Sequence, residues 1–292
     1  MMKRIDGKII SEHIKSQVSL EVAELKENGL SPSLAVIIVG DNPASRTYVN
    51  NKRKVCEQVG IQSLEYALPE STTQEELLAL IEKLNGDASI NGILCQLPIP
   101  KAIDEKVILN AISPEKDVDA FHPINVGHIM IGDPVLLPCT PAGIMEMLKY
   151  EGIDPCGKNC VVIGRSNIVG KPMAMLLLAA GGTVTVCHSK TVDLSSITSK
   201  ADILVSAVGK PKFVTPDMVK DGAVVIDVGM NRDENNKLCG DVDFDAVQEK
   251  AGYLTPVPGG VGLMTVAMLM KNTVTAAKMQ HKDVSGYDKQ SH

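Results

Sequence analysis

Short β-branched runs alternate with segments of helical spacing along almost the whole chain, and that alternation most constrains what it can fold into. Ser33 to Val39, Ser63 to Leu68 and Ile90 to Leu97 read as buried strands. Val18, Val22 and Leu25 mark a first helix ending near Asn28-Gly29, and Ser45 to Val59 and Gln74 to Leu84 carry the same spacing. Prolines from Pro98 to Pro141 then break the pattern, leaving loops and one helix from Asp104 to Ala111. It resumes with a helix from Thr140 to Tyr150 and strands at Asn159 to Ile163, Thr183 to Cys187, Ile203 to Ala207 and Val224 to Val228. A last apolar helix spans Met264 to about Met279, and Asp283 to His292 are polar. Such alternation builds parallel βαβ units covered on both faces, with ligands at the C-terminal ends of the strands. The fold class is therefore α/β. At roughly 100–200 residues per domain, the length gives two domains, with a boundary near Leu137.

Composition narrows the function. The net charge of −6, with no run of five like charges, leaves no electrostatic footprint for nucleic acid or an anionic membrane. Aromatic residues make up only 3%, so rows of base-stacking side chains are excluded and a small molecule is the expected partner. The seven cysteines form no C-x-x-C pair and have no zinc-site spacing, which points to reduced thiols in a cytoplasmic protein and to no metal. Charges in Met1 to Gly7 stand where a signal peptide needs apolar residues, and the longest apolar run, Met173 to Ala180, is too short to span a bilayer. The chain is expected to be neither exported nor inserted.

The segment from Val161 to Pro172 places Gly164 directly after a strand and Gly170 at the start of a helix, a geometry that aims backbone N–H groups at an anion. It departs from the dinucleotide fingerprint, because Ser166 replaces the second glycine and Gly170 follows Gly164 by six residues instead of five. A plain strand-to-helix turn fits the same residues. At the end of the next strand, where an NAD site carries a carboxylate for the ribose, the sequence reads Val186-Cys187-His188-Ser189-Lys190. With Arg165, Ser189 and Lys190 as donors and no carboxylate, a 2′-phosphate is the better guest, so NADP is preferred over NAD. Val208-Gly209 and Gly229-Met230-Asn231 end two further strands at the same edge and suit close approach of a ligand.

In the helix after Ser45, Tyr48, Val49, Lys52, Val55, Cys56 and Val59 fall on one stripe, so Lys52 interrupts a face that should be buried. Either its stem packs while the ammonium escapes to water, or burial turns it into a proton exchanger near neutrality, with Tyr48 one turn away. Gln96 ends a buried strand, where its amide either satisfies a loop or faces a crevice. In Lys116-Asp117-Val118-Asp119-Ala120-Phe121 each Asp could cap a turn, or one could pair with an amidine-like ring edge through two parallel hydrogen bonds.

Together these segments resemble the bifunctional methylenetetrahydrofolate dehydrogenase/cyclohydrolase family from about Asp6 to Met279. Ser45 to Lys52 is similar to its S-x-x-Y-x-x-x-K helix, and Gly92 to Pro98 to its G-I-x-x-Q-L-P strand. Gly164-Arg165-Ser166 through Gly170-Lys171-Pro172, Cys187 to Thr191, and Pro258-Gly259-Gly260-Val261-Gly262 resemble the cofactor-domain motifs. The resemblance implies a discontinuous folate-binding catalytic domain, 1–139 plus 264–292, and a Rossmann-like NADP-binding domain, 140–263, joined by two long helices with a cleft between. It implies NADP on Gly164, Arg165, Ser166, Ser189 and Met230. It also implies a folate held by Asp119, Tyr48, Pro258, Gly259 and Gly260, with Lys52, Tyr48 and Gln96 catalytic. The implied activity is oxidation of 5,10-methylenetetrahydrofolate and hydrolysis of the methenyl product to 10-formyltetrahydrofolate, within one-carbon metabolism and purine biosynthesis, by a homodimer. A dehydrogenase-only relative and a non-catalytic NADP-sensing protein are the alternatives. Three residues depart from the family pattern: Leu263 stands for a helix-starting proline, Met230 for isoleucine, and Ala120 for glycine. Ala120 disfavours a positive φ, so the local geometry is expected to shift.

Overall fold

The computed structural model describes residues 2–284; the polar tail from Ser285 onward lies outside the described residues. In chain order the elements are β1 Lys3–Arg4, α1 Gly7–Glu27, β2 Ser33–Val39, α2 Pro43–Val59, β3 Gln62–Leu68, α3 Gln74–Gly86, β4 Gly92–Cys95 and α4 Glu105–Ala111. They continue with α5 Pro123–Ile131, α6 Cys139–Tyr150, β5 Asn159–Ile163, α7 Gly170–Ala179, β6 Thr183–Cys187, α8 Leu194–Thr198, β7 Ile203–Ser206 and β8 Val224–Asp227. The last are β9 Asn231–Arg232, β10 Leu238–Cys239, α9 Phe244–Val247, β11 Tyr253–Leu254 and α10 Val261–Val284.

Contacts divide the chain into two compact units. One comprises residues up to His13, Ile129–Gly132 and Pro138–Met268; the other comprises Ile14–His128, Asp133–Leu137 and the chain from Leu269 on. The division differs from 1–139 plus 264–292 most clearly at the start of the chain. There β1 pairs in parallel with β11, so residues up to His13 go with the second-half sheet. No strand was expected at either place, because two residues are too few to show a period.

The unit built mainly from the first half carries a parallel sheet in the order β3-β2-β4. All seven residues of β2 are buried, as a central strand covered on both faces requires. On one face Ile37, Leu77, Ile81, Leu84, Ile93 and Ile108 belong to a single apolar cluster. A reciprocal cap starts α3: Thr73 accepts from Glu76 N–H while the Glu76 side chain accepts from Thr73 N–H. The expected loops between Pro98 and Pro141 contain α5, which begins at Pro123. Proline at a first helical position initiates a helix as readily as an interior one breaks it.

The other unit carries a six-stranded parallel sheet in the order β1-β11-β8-β7-β5-β6. Its core is aliphatic, with Val161, Ile163, Leu204, Val225 and Leu254 within one cluster. The helix α10 starts at Val261, and Leu263 N–H donates to Gly260 O at 3.2 Å, so this first turn forms without the proline of the family pattern.

Ala120 does not avoid the left-handed region: its φ is 57° and the residue is fully buried. The surrounding bonds impose this conformation, since Ala120 N–H donates to Asp117 O at 2.9 Å and Asp117 Oδ2 accepts from His122 N–H at 2.7 Å. An L-residue with a Cβ pays about 1–2 kcal/mol there, against which glycine's greater unfolded-state entropy is about 0.5–1 kcal/mol. Ala120→Gly should therefore stabilise the fold by about 0.5–1 kcal/mol, read as a higher urea midpoint at unchanged slope.

Candidate functional site

The apolar stripe of α2 buries Val49, Val55, Cys56 and Val59, while Tyr48 is 46% exposed and Lys52 lies at the margin of the buried face. Lys52 Nζ donates to Gln96 Oε1 at 2.9 Å. Gln96 continues the β4 ladder, with its N–H on Ile37 O at 2.8 Å, and its own amide donates to Leu97 O at 2.7 Å. That second bond fixes which end of the amide faces the lysine. Both readings of these residues thus meet in one contact: the glutamine satisfies a loop and also orients Lys52.

Asp119 lies in the electrostatic reach of Lys52. Loss of solvation raises its carboxyl to about 6, the Lys52 charge acting in the opposite sense and Asp117 adding to the rise. The loop that carries it is anchored on every side. The Lys116 ammonium donates to three carbonyls at the end of α3, Leu84 at 3.1 Å and Asn85 and Asp87 at 2.8 Å each. Asp117 accepts from His122 N–H and from Asn125 Nδ2, and Asn272 Nδ2 donates to Val118 O at 2.8 Å. The two acids therefore divide the alternatives left by the sequence, Asp117 as the turn cap and Asp119 as the group beside the lysine.

In the other unit, a cavity of about 400 Å³ opens where β5, β6 and β7 end. Gly164, Arg165 and Ser189 line it, with His188, Thr191, Ala207, Val208 and Lys210. The strand-to-helix turn closes tightly, because a Cβ on Gly164 would meet Ala207 O at 2.5 Å and one on Gly170 would meet Gly164 O at 2.3 Å. Thr191 Oγ1 accepts from His188 N–H at 2.8 Å and His188 Nδ1 from Lys190 N–H at 3.1 Å, a local fold that presents Ser189. Arg165 and Lys210 bring two cations to the wall and no carboxylate lines it. Two cations and the Ser189 hydroxyl on a wall without carboxylates fit a phosphorylated dinucleotide of the NADP type.

The expected backbone cradle is different in detail. Ser166 Oγ accepts from Val169 N–H and Gly170 N–H at 3.2 Å each, and Lys171 N–H reaches Ser166 O, so the first amides of α7 are spent on Ser166 instead of facing an anion. Ser166 shapes the turn and is not part of the cavity wall. Met230 is also off the wall; it is 52% exposed, and its sulfur lies 3.2 Å from where a Cβ on Gly262 would sit. Pro258, Gly259 and Gly260 precede α10 in this same unit, with Gly259 O accepting from Gly7 N–H at 2.9 Å. Lys210 was missed in the sequence, although a basic residue directly after the strand-end pair Val208-Gly209 is the signal that marks it.

Family models match both parts of the chain. The catalytic-domain model of tetrahydrofolate dehydrogenase/cyclohydrolase matches residues 5–119, and the NAD(P)-binding-domain model of the same enzyme matches 138–281. The chain belongs to this family. It is 62% identical over 280 residues to the bifunctional protein FolD of Acetivibrio thermocellus, covering 96% of this chain and 98% of that one. A crystal structure of the bifunctional FolD of Campylobacter jejuni superimposes with a TM-score of 0.94 at 54% identity, covering 96% of this chain and 99% of that one. The Trypanosoma brucei family member, solved with NADP cofactor and an inhibitor, gives 0.91 at 41% identity, over 96% of this chain and 99% of that one. The cofactor in that relative is the one the carboxylate-free cavity suits.

Because the Gly164 turn has no room for a Cβ and its φ is 132°, Gly164→Ala should cost about 2 kcal/mol or more and weaken NADP binding. Chemical denaturation and a coenzyme titration on the same protein check both effects.

Proposed function

We propose that this family member oxidises 5,10-methylenetetrahydrofolate with NADP⁺ and hydrolyses the methenyl product to 10-formyltetrahydrofolate, with Lys52 as the acid/base of the hydrolysis. The observation that carries the reading is the 2.9 Å contact from Lys52 Nζ to Gln96 Oε1, beside Asp119. A lysine serving only as a snorkelling surface residue needs no such partner; a proton-transfer group needs its lone pair and protons aimed.

NADP, when bound, supplies the hydride acceptor; Gly164, Arg165, Ser189 and Lys210 would hold it. Oxidation asks mainly for positioning, since a folate nitrogen can stabilise the developing cation. In hydrolysis, Lys52 takes a proton from the water that attacks the methenyl carbon and returns one to the departing ring nitrogen. Gln96, locked by Leu97 O, keeps the amine on that line. Asp119 is proposed to accept two parallel hydrogen bonds from the pterin amidine edge, and Tyr48 to orient the ring. The further assignment of Pro258, Gly259 and Gly260 to folate, and of Ser166 and Met230 to NADP, rests on the resemblance of their motifs.

The seven cysteines are all free, and no helix among the described residues is long and apolar enough to cross a membrane. From the family resemblance we propose a cytoplasmic homodimer that acts on tetrahydrofolate one-carbon derivatives, feeds purine biosynthesis, and engages neither nucleic acid nor membrane.

Lys52→Met should abolish methenyl hydrolysis while leaving measurable hydride transfer, followed as NADPH absorbance and methenyl decay in one cuvette; unchanged hydrolysis would sink the assignment. The Asp119 carboxyl, raised to about 6, must be ionised to accept both pterin bonds. The KM for methylenetetrahydrofolate should therefore rise as pH falls through about 6, and Asp119→Asn should raise KM at neutral pH and flatten that dependence.

A further inference from the structure

Five donors converge on the side chain of Asp241, which is fully buried. Its Oδ2 accepts from Val208 N–H at 2.7 Å, from Gly209 N–H at 3.3 Å and from Ser206 Oγ at 3.3 Å. Its Oδ1 accepts from Lys210 N–H at 3.0 Å and from Asn231 Nδ2 at 2.8 Å. The first four donors belong to the end of β7 and the loop after it, where Ala207, Val208 and Lys210 form part of the coenzyme cavity wall. The fifth, Asn231, opens β9 and directly follows Met230.

The carboxylate is itself held from below. Asp227, at the end of β8, accepts from the backbone N–H of Asp241 at 2.9 Å, Val242 at 2.9 Å and Gly229 at 2.8 Å. One strand end thus fixes the segment that carries Asp241, and Asp241 fixes the neighbouring strand end. The Val208-Gly209 strand end, read from the sequence as a place for close approach of a ligand, turns its N–H groups, with that of Lys210, inward to this carboxylate.

We propose that Asp241 is the positioning residue of the coenzyme site: one buried carboxylate sets the loop after β7 and the start of β9 in the arrangement that receives NADP. It does not line the cavity and acts through Val208, Lys210 and Asn231. An amide in its place would turn an NH₂ toward backbone N–H donors and leave at least one of them unsatisfied, while the shape of the side chain is kept.

The inference rests on the proposed function for its activity readout and on direct binding for the rest. Asp241→Asn should weaken NADP⁺ binding by calorimetry and raise the KM for NADP⁺ by about tenfold or more, the equivalent of one charge-assisted hydrogen bond. Hydrolysis of methenyltetrahydrofolate, assayed without coenzyme, should stay within about twofold of the parent value, because Lys52 and Gln96 are held by other bonds. Asn231→Ala removes a single donor and should move NADP⁺ affinity in the same direction by about threefold; it decides the matter where Asp241→Asn does not fold. Unchanged NADP⁺ affinity in the folded variants, or equal loss of both activities, overturns the proposal. If the parent protein binds NADP⁺ but oxidises no methylenetetrahydrofolate, the proposed function fails, while weaker binding in the variants still upholds the role of Asp241.

Discussion

The turn after β5 is built backbone against backbone, and the coenzyme cavity depends on that contact. The Ala207 carbonyl at the end of β7 occupies the space a side chain on Gly164 would need, and the Gly164 carbonyl does the same for Gly170. With so little width in the turn, Arg165 and the Ser189 loop come to the rim of one cavity although they follow different strands. A larger residue at either glycine would push the helix off the sheet and widen the opening. The aliphatic interior of this unit is consistent with the same economy, since Val and Ile layers allow close packing where aromatic rings would hold the layers apart.

Asp117, Asp119 and Asp227 carry different loads. Asp117 and Asp227 spend their oxygens on backbone N–H groups and hold loops in place. Asp119 stands within electrostatic reach of Lys52. Burial raises the carboxyls of Asp119 and Asp227 to about 6. Since these values exceed the unfolded value, both ionised groups cost stability at neutral pH. That cost is relieved as pH falls from about 6 toward the ordinary carboxylate range. Asp227 offsets part of its share through the three backbone N–H groups it accepts from.

Much of this was legible in the chain. The central strands and the helices between them follow from periodicity, because residues buried on both faces leave continuous apolar runs. The Lys52 anomaly was visible as a charge on an apolar stripe. That Gln96 is its partner was not, since the two meet only once β2 pairs with β4. Strands of two residues, such as β1 and β11, have no period to read, and Pro123 gives the same signal whether it starts a helix or breaks one. Asp241 was invisible for a different reason: in Gly240-Asp241-Val242-Asp243 an acid looks like a turn former, and only the tertiary fold brings three consecutive amides to it.

The seven free cysteines have a practical meaning. Burial pushes Cys56 and Cys95 up to about 12 and Cys160 to about 11, so these thiols stay protonated and poor nucleophiles at neutral pH. Cys139 and Cys187 are buried as well, and Cys239 is half-covered, which leaves Cys156 as the one exposed cysteine. It sits between α6 and β5, at the opposite end of β5 from the coenzyme turn. A fluorophore or spin label can be attached there without engineering the sequence, giving a reporter that leaves the strand-end loops untouched.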